Sequence, residues 1–198
     1  SNKVAKNIDT HAEYETLDAA IAEAKNDQTI QLLKDFSLES GITVKNKTLT
    51  IQGDGQDKQT ITLKGLGIYA NESGLTFKNC GLEITANDNP NHSGATANLM
   101  DDSTLTLDNV KLEITSGLGK VSSGLYLYQN SNLYVMNYCD LEISGYSGTR
   151  CSGIFADNSE YDESKPNRNI EVLNHSTITI SNCDWHGMTI NPVDVKID

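Results

Sequence analysis

The sequence predicts an all-β chain wound as a single-stranded, right-handed parallel β-helix with an N-terminal capping α-helix. Three observations carry this reading. Short segments alternate apolar and polar residues and end at Gly, Asn or Asp, which is the strand-and-turn signature. Three separate patterns recur in phase at a spacing near thirty residues, the mark of a repeat architecture. Only 37% of the 198 residues are hydrophobic and 6% aromatic, which suits a narrow stacked core better than a wide globular one.

The helix comes first. Across residues 14–25, Leu17, Ala20, Ile21 and Ala24 fall at i, i+3, i+4 and i+7 and form one apolar stripe. Thr16 supplies the N-cap, and Asp18 sits in the first turn, where the helix dipole favours negative charge. Asn26-Asp27 ends it. This helix is placed to cover the open edge of the first coil.

From residue 28 the period becomes two, as in Thr29-Ile30-Gln31-Leu32, Ile42-Thr43-Val44 and Leu49-Thr50-Ile51. The repeat then emerges. The runs beginning Ser73, Ser103, Ser131 and Ser176 share one pattern and end at Asn79, Asn109, Asn137 and Asn182. The second pattern is Leu82-Glu83-Ile84, Leu112-Glu113-Ile114 and Leu141-Glu142-Ile143. The third is Ser93-Gly94, Ser123-Gly124 and Ser152-Gly153. A strand with one apolar face cannot bury it alone, and stacking coils in parallel buries those faces in continuous columns. Coils are expected over 28–190 within one domain spanning 1–198. The coil from Asn137 to Asn182 is 45 residues long (182 − 137), so an inserted polar loop is expected at 159–169, around Pro166.

The segment Thr16-Leu17-Asp18-Ala19-Ala20, followed by Thr29-Ile30-Gln31-Leu32-Leu33, resembles the start of pectate-lyase-like β-helix domains of bacterial cell-surface, adhesin-like proteins. The strand-Asn-turn pattern is similar to their asparagine ladders. The resemblance covers Tyr14 to about Ile190 and implies an extracellular, cell-surface setting, with the chain cut from a larger surface protein. It is specific for fold and open on function, because that superfamily holds lyases, hydrolases and adhesins.

Several function classes are disfavoured. A formal charge of −12 repels nucleic acid and anionic lipid headgroups. No apolar run is long enough to span a membrane. The four cysteines form no C-x-x-C pair, and Cys80, Cys139, Cys151 and Cys183 are expected as free, packed thiols, with Cys139 and Cys183 in equivalent places on adjacent coils. Catalysis finds little support: Asp101-Asp102 has no second acid or His in phase, His11, His92, His175 and His186 complete no triad, and Arg150 and Arg168 fall in expected turns or loops.

Two outward columns remain as candidate sites. Glu83, Glu113 and Glu142 stack like charges, which a bound cation such as calcium would relieve; a solvated face with splayed side chains is the leading alternative. Aligning the glycines gives an outward column Tyr69, Thr96, Tyr126, Phe155 beside another of Asn71, Asn98, Tyr128, Asp157. Rings beside amides and a carboxylate suit a glycan or an extracellular-matrix or host protein. Outward Tyr is also common on any strand, so both readings stand. The functional expectation is a non-catalytic surface adhesin-like module, with a polysaccharide lyase or hydrolase and a passive stalk as the alternatives.

Overall fold

The computed structural model describes residues 1–86, 95–116, 123–146, 151–156, 164, 168–190 and 193–198. The chain is a parallel β-helix of three sheets. One turn of the coil contributes one strand to each sheet, and neighbouring coils pair in parallel. The first sheet contains Gln28–Leu32, Thr48–Gln52, Gly74–Lys78, Thr104–Asp108, Asn132–Met136, Arg168–Leu173 and Val193–Ile197, in that order. The second runs from Phe36–Leu38 through Thr60–Leu63, Gly81–Ala86, Lys111–Ser116 and Asp140–Ser144 to Thr177–Ser181. The third runs from Ile42–Lys45 through Ile68–Asn71, Ala95–Met100, Ser123–Leu127 and Ser152–Ala156 to His186–Ile190.

The period-two alternation explains the core. Inward residues stack into columns such as Leu75, Leu105, Leu133, Ile170 and Leu82, Leu112, Leu141, Ile178. Most are fully buried, and each contributes about 1.5–3 kcal/mol relative to an exposed side chain. Aliphatic residues dominate the interior; Phe77 and Tyr146 are the large exceptions.

Polar ladders hold the corners. The Ser103 hydroxyl accepts from the Ser73 N–H, and the Ser131 hydroxyl from the Ser103 N–H, each at 3.3 Å. At the next corner Asn79, Asn109, Asn137 and Asn174 all have φ between 53° and 58°, the left-handed region that Asn tolerates. Asn109 Nδ2 donates to Asn79 Oδ1 at 2.9 Å, and Asn174 Nδ2 to Asn137 Oδ1 at 2.6 Å. Asn137 Nδ2 instead donates to Asp108 Oδ1, which interrupts the ladder once.

Here the long coil is corrected. The ladder partner of Asn137 is Asn174, 37 residues on, and not Asn182. Thr177–Ser181 pairs with Asp140–Ser144 and belongs to the second sheet. The strand of the first sheet is Arg168–Leu173, so Arg168 and Asn169 lie in a strand and not in the expected loop. The two runs were confusable because both end in an Asn with positive φ, 54° at Asn174 and 53° at Asn182. Asn182 turns the corner that Gly145 turns one coil earlier. The remainder of the expected 159–169 loop, apart from Ser164, lies outside the described residues.

The cysteine register changes with it. Cys80, Val110, Cys139 and Ser176 precede equivalent strands of the second sheet, whereas Cys183 lies beyond Ser181 at the level of Tyr146. Cys139 and Cys183 are therefore not equivalent, and no disulfide joins any of the four cysteines.

The helix is shorter than its stripe implied, Leu17–Glu23, because Glu13–Tyr14 forms a strand with Ala5–Asn7. Thr16 is the N-cap, accepting from the Ala19 N–H at 3.1 Å. Leu17, Ala20 and Ile21 are buried against the first coil. Lys47 Nζ donates to the carbonyls of Ile21 at 3.0 Å and Ala24 at 2.9 Å, which places a cation at the negative end of the helix.

Candidate functional site

The aromatic face lies on the third sheet. Its outward column reads Thr43, Tyr69, Asn98, Tyr126, Phe155, Thr189. One expected neighbour is displaced. Ser123 pairs with Ala95, so Asn98 enters the Tyr column where Thr96 was expected. A shift of two residues keeps every side chain on its face but exchanges its neighbours. Ser93-Gly94, which suggested the other register, lies outside the described residues.

Direct parallel pairing brings Tyr126 and Phe155 together. Their ring centroids are 5.6 Å apart at an interplanar angle of 24°. Tyr128 joins them, 6.0 Å from Tyr126 and inclined by 30°. All three are half-buried, so their outer surfaces meet solvent on a backbone held on both sides by parallel pairing. Rings at these distances and angles gain about 0.5–1.5 kcal/mol per pair beyond their burial.

The other expected residues divide. Tyr69 is separated from Tyr126 by one coil, and Lys45 Nζ sits 5.8 Å from its ring centroid. Asn98, in the gap, is 4% exposed, and its Nδ2 donates to the Ala95 carbonyl at 2.8 Å. That amide is spent inside the chain and offers nothing to a ligand. Asn71 lies in the adjoining column between Lys45 and Met100, half-buried, with its Oδ1 buried and, among the described residues, without a hydrogen-bond partner. Thr96 is buried and its hydroxyl is bonded to the Tyr146 hydroxyl. Burial, eased slightly by that bond, pushes the Tyr146 phenol above its ordinary value. Asp157 lies outside the described residues.

The acidic column is as the repeat implied. Glu83 pairs with Glu113, and Glu113 with Glu142. A lysine answers part of the charge: Lys111 Nζ lies 3.1 Å from Glu113 Oε1. The hydrogen bond to Glu113 and then the charges of Glu113, Glu142 and Asp140 raise the Lys111 pKa. Among the described residues no group of three or more His, Cys, Asp or Glu is placed to hold a metal ion.

Of the sequence's catalytic candidates, Asp102 stabilises a turn at φ 54°, accepting from Asn130 Nδ2. His92 and Arg150 lie outside the described residues.

A second ring pair escaped sequence reasoning. Tyr138 and His175 stack at 5.0 Å and 18° at the corner after Asn137 and Asn174, and both are exposed. Each is one residue more than Asn79-Cys80-Gly81 uses at the same corner, and each takes φ 60°. That extra residue after the ladder Asn was the readable signal, hidden by the register that skipped Asn174. Comparison with family models, with curated proteins and with solved structures finds no match for this chain.

Proposed function

We propose that this chain is a non-catalytic, extracellular cell-surface module of the pectate-lyase-like, adhesin-like kind, which binds a glycan or an extracellular-matrix or host protein. The observation that carries the reading is the cluster of Tyr126, Tyr128 and Phe155 on one outward face, in which Tyr128 and Phe155 stack on Tyr126 with ring centroids 6.0 and 5.6 Å from it. Rings supply apolar area at small entropic cost, and the two phenols add hydrogen-bonding groups. The parallel sheet holds them in place before a ligand arrives, which lowers the ordering cost of binding. The acidic balance of −12 favours a neutral or cationic ligand over an anionic one.

A glycan and matrix-protein array with the purified chain tests this. The wild-type chain binds at least one class of ligand. Tyr126→Ala/Tyr128→Ala weakens it by about tenfold to a hundredfold, as loss of two interface rings predicts, while Tyr126→Phe/Tyr128→Phe retains most of it. A passive stalk is the competing reading. It is favoured by the way the rings stack on one another and so tie successive coils together. A silent array, with the double Ala variant losing stability and no binding, establishes the stalk.

A further inference from the structure

The corner between the first and second sheets changes along the coil. Asn79 and Asn109 are each followed by one inward residue, Cys80 and Val110, and then by the next strand. The next coil inserts Tyr138 between Asn137 and the inward Cys139. Tyr138 takes φ 60° directly after Asn137 at φ 58°, in a backbone region that a bulky side chain rarely adopts. Strain of this kind gathers where a residue serves more than packing. Packing does not account for Tyr138, which is 66% exposed.

The ring has one covered face and one open face. Its centroid lies 5.0 Å from that of His175, with 18° between the planes. That separation is about one strand spacing, ~4.8 Å, so the two rings stack along the coil axis. His175 covers the face turned to the following coil. The other face looks back over the Asn109 corner, where the extra residue is missing and Val110 is turned inward and fully buried. Polar groups of both kinds border this opening. Asp108 Oδ1 accepts from Asn137 Nδ2 at 2.8 Å. Lys58 Nζ donates to Asn109 Oδ1 at 3.0 Å. Burial dominates the raised Cys80 and Cys139 thiols, and against it both feel the Lys58 charge, which sets the ammonium near the corners of both coils.

We propose that the open face of Tyr138, bordered by Lys58, Asn109 and Asp108, is a second binding site, and that it takes a single neutral hexopyranose unit. The C–H face of such a sugar lies on the negative face of the phenol ring. Its hydroxyls donate and accept at once, which an ammonium, an amide and a carboxylate together answer. A uronate sets its charge against Asp108, and a cationic side chain sets its own against Lys58. The turn and the His175 ring hold Tyr138 in place before the sugar arrives, which lowers the ordering cost. One ring face is a small contact, so the Kd lies at about 1 mM, and a tighter ligand of the Tyr126 face is studied at concentrations that leave this site empty. The ligand class rests on the glycan-binding reading above; the geometry belongs to a different part of the coil.

Backbone amide shifts of the isotope-labelled chain, titrated to about tenfold above a millimolar Kd, test it. The probes are the methyl glycosides of glucose, mannose and galactose, with sodium glucuronate as the charged control. At least one neutral glycoside shifts the amides of Asn109, Asn137 and Tyr138 and saturates. Tyr138→Gly, which places at φ 60° the residue that best tolerates it, abolishes the Asn109 shift and leaves the melting temperature unchanged or higher. Tyr138→Phe keeps the shift, and Lys58→Met weakens affinity by about threefold to tenfold. Shifts confined to residues 123–128 and 152–156 overturn this site and leave the Tyr126 face standing. A silent array beside saturable Asn109 shifts does the reverse. No shift with any neutral glycoside, shifts that survive Tyr138→Gly, or a response to glucuronate alone overturns the proposal. So does a lower melting temperature in Tyr138→Gly, which marks the ring pair as a staple between coils.

Discussion

The two ends of the coil are built from the same residue types and differ in what lies over them. At the N-terminal end the Ala5–Asn7 strand pairs over Ile30 and Leu32, the helix packs on that strand, and Ile30 and Leu32 are 0% exposed. Further along, Ile197 continues the column of Ile30 and Val195 the column of Leu49, and both meet solvent. An apolar residue in a repeat protein is thus not core by virtue of its phase alone. Phase decides which way the side chain points, and the neighbouring coil decides whether it is buried.

Substitutions at equivalent positions sharpen this contrast. Leu105→Ala, in the middle of the column, costs about 2–5 kcal/mol of stability, because coils on both sides prevent the site from collapsing. Val195→Ala, two coils beyond Leu133 in that column, changes the stability of the dilute monomeric chain by less than about 0.5 kcal/mol. Urea unfolding of both variants measures the difference, and equal losses would break the comparison.

A smaller effect is expected at the glycines of the third sheet. A Cβ at Gly124 would lie 2.4 Å from Ile143 Cγ2 and 2.8 Å from the Gly153 carbonyl oxygen. At Gly187, one coil beyond Gly153, the nearest atom is Ile180 Cγ2 at 3.8 Å, an ordinary contact. Gly124→Ala therefore costs about 1–3 kcal/mol through overpacking, and Gly187→Ala is close to neutral by the same unfolding measurement.

A further effect is alkaline. Burial pushes the Cys80 thiol up to about 12 and the Cys139 thiol up to about 11, from an ordinary 9.0. Both folded values are raised, so folding favours the protonated thiols. Their contribution is fully present below pH 9.0 and is lost as pH rises toward about 12. Stability measured across that window falls with pH, and Cys80→Ala/Cys139→Ala flattens the slope. A thiol reagent near pH 9.0 labels the half-exposed Cys183 well before Cys80 or Cys139. Equal labelling rates would place the thiols outside the core.

Much of the fold was legible because a stacked coil writes its geometry into the sequence. Leu82, Leu112 and Leu141 repeat because each packs on the one before, and Asn79 and Asn109 repeat because that corner needs positive φ. Legibility failed where coil length changed. Asn182 satisfied the same local rule as Asn174 at a different corner, and its Ser176–Asn182 run matched the pattern of the first sheet although it lies in the second. The candidate site was legible in outline only. Outward Tyr126 and Phe155 follow from alternation and register, but the burial of Asn98 does not. Its side chain points outward by phase, yet it is buried and bonded to Ala95, and neither fact is encoded in period two. Lys45 beside Tyr69 was missed because cation and ring come from strands 24 residues apart in sequence (69 − 45), brought together by the coil.

The Tyr126, Tyr128 and Phe155 face is the proposed ligand site. Hydrogen exchange read by mass spectrometry, with and without the strongest array ligand, tests it without altering a residue. Added protection is expected only in peptides covering 123–129 and 152–156, with the capping helix and the C-terminal strands unchanged. Added protection at 17–23 or 177–197, with none at 123–129, would contradict it.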